Sequence, residues 1–191
     1  MLEYLIGLDK VVFRFFNTTI ANPLFDFIMP IITNQNIWTI PILVIILFLL
    51  IKGGRRGRFT AIILIVSVGL ADATSAQIFK PFFGRLRPSH ELTEGIRILM
   101  GRGGKFGFVS SHAANIFAAA VVLNYFYPRY KAVFFTIAPL VAFSRVYVGV
   151  HYPADIIFGG LLGYSLAWAV LSAWVMIKMR ELKRGADWVI Y

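Results

Sequence analysis

Apolar residues run in long blocks along this chain, and polar residues gather between the blocks. Four blocks cover residues 59–79, 109–127, 132–150 and 152–177. Each fits the roughly 20 mostly apolar residues that an α-helix needs to cross a bilayer. A shorter, almost uncharged block covers residues 37–51 and extends back to Asn34. The first 33 residues read differently. "LIGLDKVVFRFFNTTI" has the pattern of an amphipathic helix lying in a membrane interface. "NPLFDFIMPIIT" then opens on Asn22-Pro23, a helix-start signal. This segment forms either a sixth span or an interfacial hairpin. The pattern predicts an all-α polytopic membrane bundle of five to six transmembrane helices with an N-terminal amphipathic segment. No repeat, low-complexity tract or second domain interrupts residues 1–191.

Composition agrees with this reading. The chain is 59% hydrophobic, with a mean hydropathy of +0.75, above the roughly 45–50% apolar usage of soluble proteins. The absence of cysteine excludes disulfides and thiolate metal sites and says nothing of redox compartment. A formal charge of +10 would suggest nucleic acid in a soluble protein. Here the cations flank apolar blocks, so anionic headgroups or an anionic substrate are the expected partners, and nucleic acid is not. No protein partner can be inferred. No cleavable signal peptide is evident, because Glu3, Asp9, Lys10 and Arg14 interrupt the first 20 residues. The connections at 52–58 and 128–131 and the tail 178–184 together carry ten Lys and Arg, against six in the loop after Phe79. That bias predicts a cytoplasmic C-terminus and places the loop 80–108 on the periplasmic or extracellular side of the cell membrane.

Three polar clusters fall at the ends of these blocks: "KPFFGRLRP" (80–88), "FVSSHAAN" (108–115) and "SRVYVGVHYPAD" (144–155). Alternating spans bring all three to one side. Lys80, Arg87 and Arg145 lack matching carboxylates within their own clusters except Asp155, and a phosphate dianion suits them, Arg especially, since its planar fork binds oxygens in pairs. Ser110 and Ser111 stand at a helix start, where free N–H groups and the helix dipole attract anions. His151 has Asp155 four residues on, and Pro153 suits a first helical turn. Asp155 is thus placed to fix one ring nitrogen of His151 and to stabilise an imidazolium. His112 has no carboxylate nearby in sequence and is the better candidate for the acid that protonates a leaving oxygen.

Together the clusters resemble the signature of the type 2 phosphatidic acid phosphatase and haloperoxidase superfamily: Lys-x6-Arg-Pro, Pro-Ser-Gly-His and Ser-Arg-x5-His-x3-Asp. The first is complete as Lys80, Arg87 and Pro88, and the third as Ser144, Arg145, His151 and Asp155. The second departs from it, reading Val109-Ser110-Ser111-His112. The resemblance implies that His151 attacks phosphorus to form a phosphohistidine. Asp155 would orient it, His112 would protonate the leaving group, and water would free the phosphate. Lys80, Arg87, Ser110, Arg145 and the N–H of Ser111 would hold the phosphoryl oxygens. It implies no metal and no cofactor. Ser111 adds a side chain where the family glycine admits phosphate closely, so an altered fit is expected rather than lost activity.

The expected activity is metal-independent hydrolysis of a lipid phosphate or diphosphate at the outer membrane face. Small size and the lack of accessory domains lean towards undecaprenyl diphosphate. Phosphatidylglycerophosphate, phosphatidic acid and lipid A phosphate are alternatives. A lipid phosphotransferase, and a phosphate or lipid transporter using the same cations, are competing readings. Arg85, Arg97, Arg102 and Lys105 read first as interfacial anchors, with Arg85 nearest to substrate contact. Asp72, Thr74, Ser75 and Gln77 read as helix–helix hydrogen bonders, although Asp72 lies two helical turns before Lys80. "GGLLG" (159–163) reads as a close-packing stripe and "GRGGK" (101–105) as a loop near the site.

Overall fold

A computed structural model describes residues 1–92 and 94–191, and among these nine α-helices carry the architecture. They are α1 (Leu2–Arg14), α2 (Pro23–Thr33), α3 (Gln35–Ile51), α4 (Gly54–Ala73), α5 (Lys80–Phe83), α6 (Pro88–Glu91), α7 (Ser111–Phe126), α8 (Lys131–Tyr147) and α9 (Pro153–Lys183). Two isolated residues, Leu86 and Phe106, form a lone antiparallel bridge. A π-helical stretch, Thr74–Phe79, joins α4 to α5 in one rod, Gly54–Phe83.

Local chemistry explains where the helices begin. Asn22 caps α2 by accepting from Phe25 N at 2.9 Å, with Pro23 as the first helical residue. Pro153 opens α9, and the Asp155 carboxylate accepts from Tyr152 N at 3.0 Å. Ser110 is the N-cap of α7.

The helix α7 lies at the centre, against α4, α8 and α9. Its alanines face the glycine stripe of α9. A Cβ at Gly159 would lie 2.6 Å from the Ser110 carbonyl, and one at Gly163 would collide with the Ala114 carbonyl. The two backbones therefore touch, as the stripe suggests. This contact sets Ser110 beside the start of α9, and Ser110 N donates to Asp155 O at 3.0 Å.

Among the described residues, two helices are long and apolar enough to cross a membrane, Gly54–Phe83 and Pro153–Lys183. A third candidate is the pair Glu3–Thr19 and Pro23–Thr33, bent by 115°. The helix α3 is apolar but shorter, at 17 residues. Blocks 109–127 and 132–150 yield helices of only 16 and 17 residues. Their ends are spent on the Ser110 cap and on the turn that carries His151. Among the described residues, two helices, or three elements with the bent pair, thus meet the length and composition expected of a span on their own.

Candidate active site

The turn between α8 and α9 is the centre of the site. Val150 N and His151 N both donate to the Arg145 carbonyl, at 3.1 and 3.2 Å. The chain can turn this tightly because Gly149 has φ +88°, and a Cβ there would strike the Arg97 carbonyl. His151 and Asp155 are both buried, at 1% and 0% exposure. The His151 Nδ1 lies 3.2 Å from Asp155 Oδ2. Arg85 Nη1 donates to Asp155 Oδ1 at 3.0 Å. Both oxygens of this buried carboxylate are therefore matched, as a charge out of water requires.

Three cations surround the pair. Arg87 enters from the loop between α5 and α6. Its backbone N donates to Lys105 O, and Gly107 N donates to Arg85 O, at 3.2 and 2.8 Å. Those bonds fix the loop beside Asp155: a Cβ at Gly107 would lie 3.0 Å from Asp155 Oδ2 and 3.1 Å from Arg87 Cγ. Arg87 Nε donates to Phe106 O at 3.2 Å. Gly103 leaves room for its Nη1, which would lie 2.7 Å from a Cβ at that position. Arg145, on α8, is buried and donates from Nη1 to Thr33 Oγ1 at 2.6 Å, while its buried Nε has no partner among the described residues. Lys80 donates from Nζ to Ser111 Oγ at 2.6 Å, and Ser75 Oγ lies 2.8 Å from the same hydroxyl.

Electrostatics follows from this crowding. Burial pushes the His151 imidazole well below its ordinary range, and the charges of Arg87, Arg145 and Lys80 push the same way. A backbone hydrogen bond to Gly107 opposes them. Burial likewise lowers the Arg87 guanidinium, with Asp155 opposing. His112, the second residue of α7, is half-buried and has Arg145, His151, Arg87 and Lys80 as electrostatic neighbours.

All eight residues singled out in the sequence lie at this end of the bundle. His151, Asp155, Ser110 and Arg145 join through direct hydrogen bonds, and Lys80 joins Ser111. Arg87 approaches through the shared Gly107 backbone. Arg85, read mainly as an anchor, instead binds Asp155. Asp72 accepts from Asn115 Nδ2 at 3.0 Å, so it links α4 to α7 as a helix–helix hydrogen bonder. Two further participants, Asp9 and Thr33, carry no site signal in the sequence, and a third, Ser75, reads there as a helix–helix hydrogen bonder. Asp9 accepts from Arg85 Nη2 at 2.5 Å and from Ala154 N at 2.9 Å. Thr33 holds Arg145, and Ser75 backs Ser111. Only the amphipathic pattern of α1 hints at Asp9, by placing it on the polar face.

Such a cluster of buried cations around a His–Asp pair is suited to a phosphoryl group, and comparison with known proteins agrees. Residues 60–179 match the family described as the PAP2 superfamily. The chain is 30% identical to the lipid A 4'-phosphatase of Porphyromonas gingivalis, over 95% of this chain and 79% of that one. It is 32% identical to the lipid A 4'-phosphatase of Bacteroides thetaiotaomicron, over 88% and 77%. The crystal structure of Aquifex aeolicus LpxE superposes with a TM-score of 0.72 and 25% identity, covering 86% of this chain and 95% of that one. The chain belongs to the PAP2 superfamily, in its membrane lipid phosphatase branch.

Proposed function

We propose that this PAP2-type lipid phosphatase cleaves its substrate through a phosphohistidine on His151, without a metal. The observation that carries the reading is the buried His151–Asp155 pair lying among Lys80, Arg87 and Arg145, with the Arg145 Nε unmatched. Nδ1 faces Asp155, which leaves Nε2 with a free lone pair for phosphorus. As Nε2–P forms, the P–O bond to the lipid breaks, and His112 gives its proton to the departing oxygen. A substrate dianion offsets the cations around His112 and so favours the protonated form that donates. Water, giving a proton back to His112, then attacks phosphorus and releases inorganic phosphate with neutral His151. The three cations, the Ser110 hydroxyl and the N–H of Ser111 hold the phosphoryl oxygens as charge develops.

The substrate is a lipid phosphate. Small size favours undecaprenyl diphosphate, but lipid A phosphate fits at least as well, because relatives matching most of this chain are named lipid A 4'-phosphatases. Lipid A bearing a 4'-phosphate is therefore the first substrate to test. The reading keeps the site on the outer face, the C-terminus in the cytoplasm, and five to six spans.

Phosphate release by the purified protein should be measured over a panel of lipid A, undecaprenyl diphosphate, phosphatidylglycerophosphate and phosphatidic acid. Vanadate should inhibit, EDTA should not, and His151→Ala should abolish turnover. Full turnover by His151→Ala sinks the mechanism, and EDTA inhibition sinks its metal independence. Transfer of phosphate to an added acceptor lipid in preference to water would make the protein a phosphotransferase.

A further inference from the structure

The helix α1 grips the turn that carries His151 from outside. Asp9 sits on its inward face, and its two oxygens do different work. Oδ1 accepts from Ala154 N at 2.9 Å, satisfying a free donor in the first turn of α9. Oδ2 pairs with Arg85 Nη2 at 2.5 Å, while Arg85 Nη1 reaches Asp155 Oδ1 at 3.0 Å. One guanidinium thus bridges two carboxylates. Around this bridge, Phe13 packs edge-on against Tyr152 at 5.3 Å, and Arg85 lies over the Tyr152 ring at 4.4 Å. Glu91 accepts from Tyr152 Oη at 2.6 Å and pairs with Lys10 on α1.

From this chain of contacts we infer that Asp9 is a positioning residue for the His151–Asp155 pair, acting through Arg85. The inference rests on the reading of His151 as nucleophile. Its logic is charge division. Arg85 carries one positive charge, and Asp9 takes part of its attraction. Asp155 thereby keeps enough negative character to hold the His151 N–H and to stabilise the imidazolium that forms as Nε2 bonds to phosphorus. Without the Asp9 charge, Arg85 is drawn wholly to Asp155, and the pull of Asp155 on His151 weakens. The lipid phosphate is held by other groups, so the effect falls on turnover and not on binding.

The test is Asp9→Asn, which keeps a side-chain oxygen for Ala154 N and replaces the charged acceptor that faces Arg85 with an amide NH2. In detergent-purified protein, kcat should fall about tenfold, the low end of what losing an orienting partner behind a metal ligand costs, with KM within about twofold. Asp9→Glu should recover most of the rate. Adding Asp9→Asn to Arg85→Gln should cost nothing beyond Arg85→Gln alone, because the two act in one chain. A wild-type kcat in Asp9→Asn, or full additivity with Arg85→Gln, overturns the inference. A His151→Ala control in the same assay separates the two failures. If it turns over fully, the nucleophile assignment is wrong. If it is dead while Asp9→Asn matches wild type, only the role of Asp9 is wrong.

Discussion

The two ends of this bundle use the same residue types in opposite ways. At the site end, Arg87 and Arg145 are nearly buried, and His151 and Asp155 fully so. At the other end, two cations lie on aromatic faces, Arg56 exposed and Lys178 half-buried. Arg56 sits 4.6 Å from the Tyr127 ring and Lys178 4.0 Å from the Tyr191 ring. There the tail folds back: Val189 is buried, Trp188 and Tyr191 pack on Phe59, and Arg55 donates to Asp187 O at 2.8 Å. A surface cation on a ring costs little desolvation and contributes about 0.5–1 kcal/mol. A buried cation has lost its water and must find an anion. Among the described residues, the Arg145 side chain finds the Thr33 hydroxyl and keeps an unmatched Nε. Position in the bundle, and not residue type, separates an exposed anchor from a buried, under-paired cation.

Substitutions at the two ends can break or sharpen this contrast. The largest effect is expected at the buried carboxylate. Asp155→Asn should lower kcat by about 10³–10⁴, as loss of an orienting carboxylate does in a His–Asp pair, measured as phosphate release. Arg145→Lys should cost about 10–100-fold in kcat/KM, the worth of one or two charge-assisted hydrogen bonds. A near-normal Arg145→Lys would show that charge alone suffices there.

An intermediate effect is expected with pH. His151 is held below its ordinary range, so it stays neutral and nucleophilic in mildly acid solution, and the rate should not fall with an imidazole-like midpoint near about 6.5. Stability has the opposite sensitivity. Below about 6.5 the unfolded chain binds a proton at His151 and the folded chain does not, so this contribution is lost as pH falls. The melting temperature in detergent should drop between neutral and acid pH, and His151→Gln should flatten that slope.

Ser111→Gly should keep activity, within about threefold of wild type by rate assay, since the backbone N–H proposed to hold phosphate remains. What it removes is the hydroxyl that meets Lys80 and Ser75. The smallest effect belongs to the far end. Lys178→Ala should leave kcat unchanged and lower stability by about 1 kcal/mol or less. A loss of rate there would show that the tail communicates with the site.

The apolar blocks were legible because hydrophobic length is a local property, read residue by residue. Their ends were not, since caps and the His151 turn take residues from blocks 109–127 and 132–150. The glycine stripe on α9 was legible as a packing device, and Gly159 and Gly163 press on α7. The role of Arg85 is not legible, because a flanking arginine looks the same in sequence whether it faces lipid headgroups or a buried carboxylate.

By itself the sequence determined an all-helical, membrane-apolar chain and the three clusters whose short spacings bring His151 within one helical turn of Asp155. Only the tertiary structure decided which residues complete the site. Asp9 meets Arg85 across 76 positions and Thr33 meets Arg145 across 112. No periodicity encodes such pairs. They exist because α1 and α2 fold back over the turn between α8 and α9, and a buried charge holds whatever polar partner that packing delivers.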